Sequence, residues 1–491
     1  MGRLTLAIAL AACLISCRVQ RTESSRSRTN PNVTYEPRQV PSGSLKGAAI
    51  LSYADIVDRV APAVVTIRSS KRVRAPQQFP FMDDPFFRQF FGGGVPRRGG
   101  NTQVERALGS GVVVQADGHI ITNHHVVDGA EDIKVEFSPS RIFSAKLIGS
   151  DAPSDLAVLK ISASDLPVLQ LGDSDQVRVG DVCLAVGNPL GIGESVTAGI
   201  ISAKGRSTDS VGGGSFQDFL QTDAPINQGN SGGALVNTRG ELIGINSQIL
   251  SSNGGNIGIG FAIPSNMAKG VMGQLLGKGK VQRGMLGVGI QPVTSDIAKS
   301  LGMKEVRGLL INSITSGGPA EKAGIKGGDV ILQLNGKNIN DANTLRNEIA
   351  ALGPGSEVTL TILHEGKEQQ VRARLVELTA GAAQPDNDAT PNGDSGGTSK
   401  LGLTVQPLTA ELMQQLRLRR GTQGVVVDSV DPDGPAAQAG IQPGDVIQEV
   451  NKQPVRSNSD LRTALQKSGD RPPLLLINRG GQTAYVSIPL Q

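Results

Sequence analysis

Apolar residues along the chain fall into three kinds of run. The first, residues 4–15, is nearly continuous and follows the positively charged start Met1-Gly2-Arg3. It is too short to cross a bilayer core of about 30 Å as a helix, so it reads as the core of an export signal. The second kind is short and strand-like, as in Asp181-Val182-Cys183-Leu184-Ala185-Val186, residues 358–363 and residues 474–477. These stretches predict a mainly β chain. The third is aromatic: residues 79–91 hold six of the eleven Phe residues. Asp84 as N-cap and Pro85 at the first helical position start a short helix there, and Gly92-Gly93-Gly94 ends it. Phe86, Phe87, Phe90 and Phe91 then make i,i+3 and i,i+4 pairs, an apolar face that one or two turns cannot bury alone. It needs a partner surface, or else the segment collapses on its own domain.

Composition sharpens this picture. A length of 491 residues predicts about three domains. With 63 Gly, no Trp and three Tyr, the core is built from Val, Ile, Leu and Ala between many turns. The net charge of +4 carries no concentrated basic stripe, which argues against nucleic acid as a partner. The apolar run ends in Leu14-Ile15-Ser16-Cys17, and Leu10-Ala11-Ala12-Cys13 lies just before it. Both resemble the recognition sequence for cleavage before a lipid-modified cysteine. Cys17 leaves the more typical signal length and is the lipidation candidate, and an ordinary signal peptide is the other reading. Either way the protein is expected to be exported from a bacterium into the periplasm, with a lipid anchor to the membrane if Cys17 is modified. Residues 1–17 are then the signal, and residues 18–48, rich in Ser, Thr, Arg, Pro and Asn, a flexible tether. Cys183 has no internal partner once the signal is removed, so no disulfide framework is expected. No His, Cys or carboxylate cluster has metal-ligand spacing, and no phosphate-binding loop is present, so neither a metal nor a cofactor is implied.

The second half repeats itself. Residues 318–331, Gly-Pro-Ala-Glu-Lys-Ala-Gly-Ile-Lys-Gly-Gly-Asp-Val-Ile, return as residues 434–447 with an offset of 116. Each copy has a short GPAxxAGI helix, a GDVI turn into a strand and a later apolar strand pair. Each resembles a PDZ domain of the bacterial protease type, over residues 281–378 and 400–491, with a flexible linker at 379–399. The resemblance makes Met285, Leu286, Gly287 and Val288 the peptide-binding loop of the first copy, with residues 400–405 its counterpart in the second. Small residues in such a loop free consecutive backbone N–H groups to capture a C-terminal carboxylate, and the adjoining strand pairs with the peptide. A structural or oligomerisation module without a free groove is the alternative for either copy.

The chemistry sits in the first half. Thr122-Asn123-His124-His125-Val126-Val127, Ser154-Asp155-Leu156-Ala157-Val158-Leu159 and Gly229-Asn230-Ser231-Gly232-Gly233 follow one another in that order. A serine hydroxyl is a weak nucleophile at neutral pH. It needs a base that titrates near pH 7, and a carboxylate must hold that base in one tautomer. Ser231, His125 and Asp155 supply these three groups. The glycines around Ser231 permit a tight turn that aims the N–H groups of Gly229 and Ser231 at one point, an oxyanion hole. His119, His124 and His364 read as ordinary polar positions.

Taken with GSGVV at residues 109–113, GDSDQVRVGD, AVGNPLGIGE, QTDAPINQGNSGGALVN, GELIGINS and NIGIGFAIPS, these segments make residues 50–270 similar to trypsin-like proteases of the high-temperature-requirement (HtrA, or Do-type) family. The resemblance implies a chymotrypsin-like double β-barrel over residues 49–275, with an inserted loop at about 69–104 that contacts neighbouring protomers, followed by the two PDZ domains. It puts Pro225 at the base of the specificity pocket beside Ile226, with Ile249 on the other wall. A small apolar pocket of this kind predicts cleavage after Val, Ala or Ile with modest discrimination. The loop at residues 206–215 matches a sensor loop, with Arg206 as its relay arginine, and the run Gly212-Gly213-Gly214 departs from close relatives. The family further implies a homotrimer built through the barrels, or larger assemblies, and unfolded polypeptides with exposed C-terminal peptides as partners. The expected activity is ATP-independent serine endoproteolysis of unfolded exported proteins. A holdase chaperone is the alternative, and a scaffold with a dead barrel is the third class.

Overall fold

The computed structural model describes residues 52–73, 103–188, 194–208, 215–227, 229–249, 256–379, 401–419, 421–469 and 471–489. The expected signal and tether, Cys17, the aromatic segment, Gly212-Gly213-Gly214 and all but the first residue of the expected linker lie outside them.

Strand patterning builds two closed barrels of six strands. The first runs β1 (Val64–Val73), β2 (Gln103–Gln115), β3 (His119–Thr122), β6 (Leu156–Ile161), β5 (Arg141–Asp151) and β4 (Asp132–Ser138). Alternation is visible in β4, where Ile133 and Val135 point inward and Asp132 and Lys134 outward, the two-residue period of a pleated strand. Val65, Ile67, Val113, Ile120, Leu159 and Ile161 fill the interior. The second barrel runs β10 (Ala234–Asn237), β11 (Leu242–Ile249), β12 (Gly260–Pro264), β9 (Phe219–Thr222), β8 (Ser195–Arg206) and β7 (Val182–Gly187). A third apolar cluster, including Val112, Leu156, Val186, Ala234 and Ile245, joins the two barrels and backs the cleft between them. This is a chymotrypsin-like double barrel. The register of β1 and β2 continues out to Val73↔Gln103, so the first residues of the expected insert are strand rather than loop.

Two smaller sheets follow, one per repeat. In the first, β14 (Val288–Pro292), β15 (Leu309–Ile314), β16 (Val330–Leu334), β18 (Glu357–His364) and β19 (Lys367–Arg374) lie in that order, with β17 (Lys337–Asn338) on β16 and the short pair β13 (Gly284–Met285) and β20 (Val376–Glu377) apart. The second repeats this as β21 (Leu403–Pro407), β22 (Val425–Val430), β23 (Val446–Val450), β25 (Leu474–Arg479) and β26 (Gln482–Ser487), with β24 (Gln453–Pro454) on β23. The helix Ala342–Leu352 covers the first sheet through Leu345 and Ile349. Asp341 starts it by accepting from Thr344 N–H at 2.7 Å. The helix Asn458–Gln466 covers the second sheet through Leu461 and Ala464.

The duplicated aspartate is fully buried in both copies but differently paired. Asp329 meets His364 Nδ1 at 2.6 Å, whereas Asp445 takes a bidentate Arg479 at 2.6 and 2.7 Å. Each also accepts from the backbone N–H three residues earlier, Lys326 and Gln442, which explains why the repeat keeps an acid there. The two PDZ domains pack on one another. Leu474, Leu476 and Tyr485 of the second join Val293, Ile297, Leu310, Val330 and Leu332 of the first in one apolar cluster. Gln291 clamps Tyr485 by donating to its carbonyl at 2.9 Å and accepting from its N–H at 2.8 Å.

Candidate active site

Three segments meet in the cleft between the barrels. His125 lies in the one-turn helix His124–Val127 that follows β3, and Asn123 precedes it in extended conformation. Asp155 closes the short helical turn between β5 and β6 and adopts φ 53°, left-handed and uncommon for a residue other than glycine. Its backbone explains why that conformation holds. The Asp155 carbonyl accepts from His124 N–H at 3.1 Å and from Asn123 Nδ2 at 3.0 Å. The same residue that carries the carboxylate therefore fixes the histidine segment.

The side chains complete the pair. His125 Nδ1 lies 2.9 Å from both Asp155 oxygens, and His125 N–H donates to Oδ1 at 3.1 Å. Ser247 on β11 donates its hydroxyl to Asp155 Oδ2 at 2.9 Å. Burial alone would raise the Asp155 carboxyl. The charge and N–H groups of His125, together with the Ser247 hydroxyl, outweigh burial and hold it below the ordinary carboxylate value. Ser231 is buried, and its hydroxyl donates to the Ser247 carbonyl at 2.9 Å. Ser247 thus touches both the carboxylate and the serine. In the sequence it is unmarked, the last residue of GELIGINS.

The turn around Ser231 is stapled on every side. Gly232 N–H donates to Asn246 O at 2.7 Å, Gly233 N–H to Asn230 O at 2.9 Å and Asn230 N–H to Asn227 O at 3.0 Å. Ser110 donates its hydroxyl to Gly229 O at 2.6 Å and accepts from Asn188 N–H at 2.9 Å. Among the described residues, the N–H groups of Gly229 and Ser231 have no backbone partner. Gly232 has φ +81°, and a Cβ there would lie 2.1 Å from Ser110 O, so no other residue fits.

The remaining predicted positions are scattered. Pro225 turns its carbonyl to Thr197 Oγ1 at 2.8 Å, and Ile226 and Ile249 are buried in the core of the second barrel, with Ile226 packed against Gly260. Arg206 ends β8, exposed. The two residues after it are tied down: the Gln217 side chain accepts from Ser207 Oγ and Thr208 N–H, and Gln248 Nε2 donates to Thr208 Oγ1 at 2.9 Å. The Gln217 carbonyl in turn accepts from Asn343 and Asn347 of the helix Ala342–Leu352, at 2.6 and 2.7 Å. Arg283, next to the predicted peptide loop, forms a buried bidentate pair with Asp151 and stacks with Arg346 on Phe216, 4.4 and 4.7 Å from the ring centre. Met285 lies in β13, Val288 opens β14, and Leu286 and Gly287 join them, with φ +79° at Gly287. The Leu286 and Gly287 carbonyls accept from Ala320 and Thr315, as Leu401 and Gly402 of the second copy do from Ala436 and Asp431. His119, His124 and His364 each meet a carboxylate outside the cleft. No described group of three or more His, Cys, Asp or Glu is placed to hold a metal.

Comparison with known proteins agrees with this fold. Residues 109–245 match a trypsin-like peptidase domain, and residues 284–375 and 426–479 each match a PDZ domain. The chain is 39% identical to the periplasmic serine endoprotease DegP of Escherichia coli K12, over 99% of both chains. The chain belongs to the HtrA/DegP family of serine endoproteases. A probable periplasmic DegP-like endoprotease of Chlamydia trachomatis is 40% identical over 88% of this chain and 85% of its own. Among solved structures, the HtrA-type protease AlgW with a decapeptide aligns at 43% identity and TM-score 0.53, covering 67% of this chain and all of that one. AlgW with a tripeptide aligns at 41% identity and TM-score 0.55. The protein is therefore a serine endopeptidase of the HtrA type.

Proposed function

We propose that this enzyme degrades unfolded exported proteins in the periplasm, without ATP, through an acyl-enzyme on Ser231. The observation that carries the reading is the continuous set of contacts His125–Asp155–Ser247–Ser231. When a substrate carbonyl enters, the Ser231 hydroxyl leaves the Ser247 carbonyl for His125 Nε2, which takes its proton as Oγ attacks. Asp155 stabilises the imidazolium that forms. The N–H groups of Gly229 and Ser231 then receive the oxyanion, and His125 returns the proton to the leaving amine. Water, activated by the same imidazole, releases the acyl group.

The family resemblance puts Pro225, Ile226 and Ile249 at the specificity pocket, where no carboxylate awaits a basic side chain, and cleavage after Val, Ala or Ile belongs to this proposal. The loop Met285–Val288 takes peptide C-termini; the relative AlgW has been solved with a decapeptide and with a tripeptide. Occupancy reaches the oxyanion turn through the helix Ala342–Leu352, Gln217 and the loop that Arg206 enters. Periplasmic location rests on the names of the relatives. A homotrimer and a lipid on Cys17 complete the proposal.

The test is ATP-free degradation of a permanently unfolded protein by the mature chain beside Ser231→Ala, with fragment ends read by mass spectrometry. Cutting lost only in the variant, with Val, Ala or Ile at the new C-termini, is the expected result. Absence of cutting by both, with aggregation suppressed by both, would replace proteolysis with the holdase reading.

A further inference from the structure

The Gly109-Ser110-Gly111 motif of β2 takes no part in the proton transfers, yet it runs between the histidine segment and the serine turn. A Cβ on Gly109 would lie 2.7 Å from Val126 Cγ2, beside His125, and 3.2 Å from Ser231 O, and a Cβ on Gly111 would lie 2.6 Å from Ile67 Cδ1. The two glycines let the strand lie this close to its neighbours. Between them Ser110 is fully buried.

Every polar group of Ser110 is engaged. Its N–H donates to Ser231 O at 2.8 Å, and its carbonyl accepts from Thr122 Oγ1 at 2.7 Å. Its hydroxyl accepts from Asn188 N–H at 2.9 Å and donates to Gly229 O at 2.6 Å. The sense of that last bond follows from its neighbours. Asn188 N–H can only donate and Gly229 O can only accept, so the hydroxyl hydrogen has one place to go. Asn188 is itself held, since its carbonyl accepts from Thr66 Oγ1 at 3.0 Å, and Thr66 lies opposite Ser110 in the β1–β2 register.

What the hydroxyl holds is the peptide between Gly229 and Asn230. The N–H groups of Gly229 and Ser231, the proposed oxyanion hole, belong to the peptide planes on either side of it, so rotating this plane turns their common aim apart. Gly229 has φ +95°, and a residue without a Cβ resists such a rotation little. The next two carbonyls of the turn are held by backbone N–H groups, Asn230 O by Gly233 and Ser231 O by Ser110. Gly229 O is held by a side chain. Left buried without that donor, it would turn toward another. We infer that Ser110 is a positioning residue for the oxyanion hole. From the first barrel, which also carries His125 and Asp155, its hydroxyl fixes the Gly229 carbonyl and with it the direction of two N–H groups on the second. The inference rests on the acyl-enzyme reading and adds a residue to it.

The experiment compares the full chain with Ser110→Ala on a chromogenic peptide and on a peptidyl-valine trifluoromethyl ketone labelled with carbon-13 at its carbonyl. Ser231 Oγ adds to the ketone carbon, its proton goes to His125, and the carbonyl oxygen becomes an oxyanion in the hole. The carbon-13 shift followed against pH then reads how well the hole holds that charge. In the variant, kcat falls about 10- to 100-fold with KM within about twofold, and the hemiketal oxyanion takes up its proton at a pH higher by about 1 to 2. That midpoint is read only on enzyme that has bound the ketone, so partial unfolding does not move it. Ser110→Cys fills the same space with a weak donor, and should the alanine variant fail to fold, it carries the test with the same expected outcome. A kcat within about twofold of the parent, a loss carried by KM, or a fall in kcat with the midpoint unmoved overturns the role of Ser110. A parent chain that forms no hemiketal removes the acyl-enzyme reading and this inference with it, whereas a hemiketal in the parent and an unmoved midpoint in the variant removes this inference alone.

Discussion

Replacing Ser247 with Ala removes a hydroxyl donor from Asp155 Oδ2 and keeps the backbone carbonyl that accepts from Ser231. The perturbation is therefore confined to the carboxylate. A hydrogen bond to a charged, buried acceptor contributes about 1.5–3 kcal/mol. If all of it is felt when His125 becomes imidazolium, kcat falls about 10- to 150-fold with KM little changed. The pH profile supplies a second readout. Asp155 is a depressed acid, so what its ionised form contributes is complete above the ordinary carboxylate value and is lost as pH falls through the folded value. Loss of one lowering interaction moves the folded value up, and the acid edge of thermal stability moves to higher pH with it. The assays are hydrolysis of a chromogenic peptide with Val before the scissile bond, and melting followed from acid to neutral pH. A Ser247→Ala enzyme with kcat within about twofold of the parent and an unmoved acid edge of melting would refute the role given to this contact.

Further outcomes follow from the same geometry. Gly232→Ala forces a Cβ against Ser110 O at a backbone angle that L-residues avoid, so the turn reorganises. Activity disappears, and melting falls by an amount corresponding to more than about 2 kcal/mol in calorimetry. Asn343→Ala with Asn347→Ala releases the Gln217 carbonyl, a loss of about 1–3 kcal/mol at the junction, and turnover should cease to respond to added C-terminal peptide while basal turnover persists. Asp218 is pushed up to about 6, first by burial and then by the charges of Asp175, Asp341 and Glu348, against Lys204. A raised acid binds its proton more tightly in the folded state, so stability drains as pH rises from about 4 through about 6. Asp218→Asn should then melt higher at pH 7, by on the order of 1 kcal/mol, and show no gain at pH 4.

Much of the candidate site was legible because the chemistry proposed for it demands rare residue types in a fixed order. His125, Asp155 and Ser231 could be chosen from four histidines and one Gly-Asn-Ser-Gly-Gly turn. The duplicated GDVI aspartate was equally plain. Ser247 was not, since a serine in an apolar strand looks the same whether it faces solvent, a core or a carboxylate. Gln217, Asn343 and Asn347 were invisible for a related reason: a polar side chain whose partner is a backbone carbonyl 126 or 130 residues away leaves no local pattern. Arg283 read as the edge of a peptide loop, and only the fold reveals the Asp151 carboxylate it meets. Nothing in the sequence around Val293, Ile297 and Leu310 tells which surface covers them, because hydrophobic periodicity records that a face is covered, not by what.

That last point bears on how the two repeats are to be dissected. In sequence they look like beads that can be unstrung, yet Leu474, Leu476 and Tyr485 of the second close the apolar face of the first, and Gln291 is spent on the Tyr485 backbone. A chain cut after the first repeat bares Val293, Ile297, Leu310, Val330 and Leu332 to water in one stroke. Its behaviour would report a wound rather than a missing function, and swapping the second repeat for an unrelated copy would leave the same wound open. The informative dissection keeps that face shut and changes the second groove alone, through residues on β21 and the helix Asn458–Gln466 that point away from the seam.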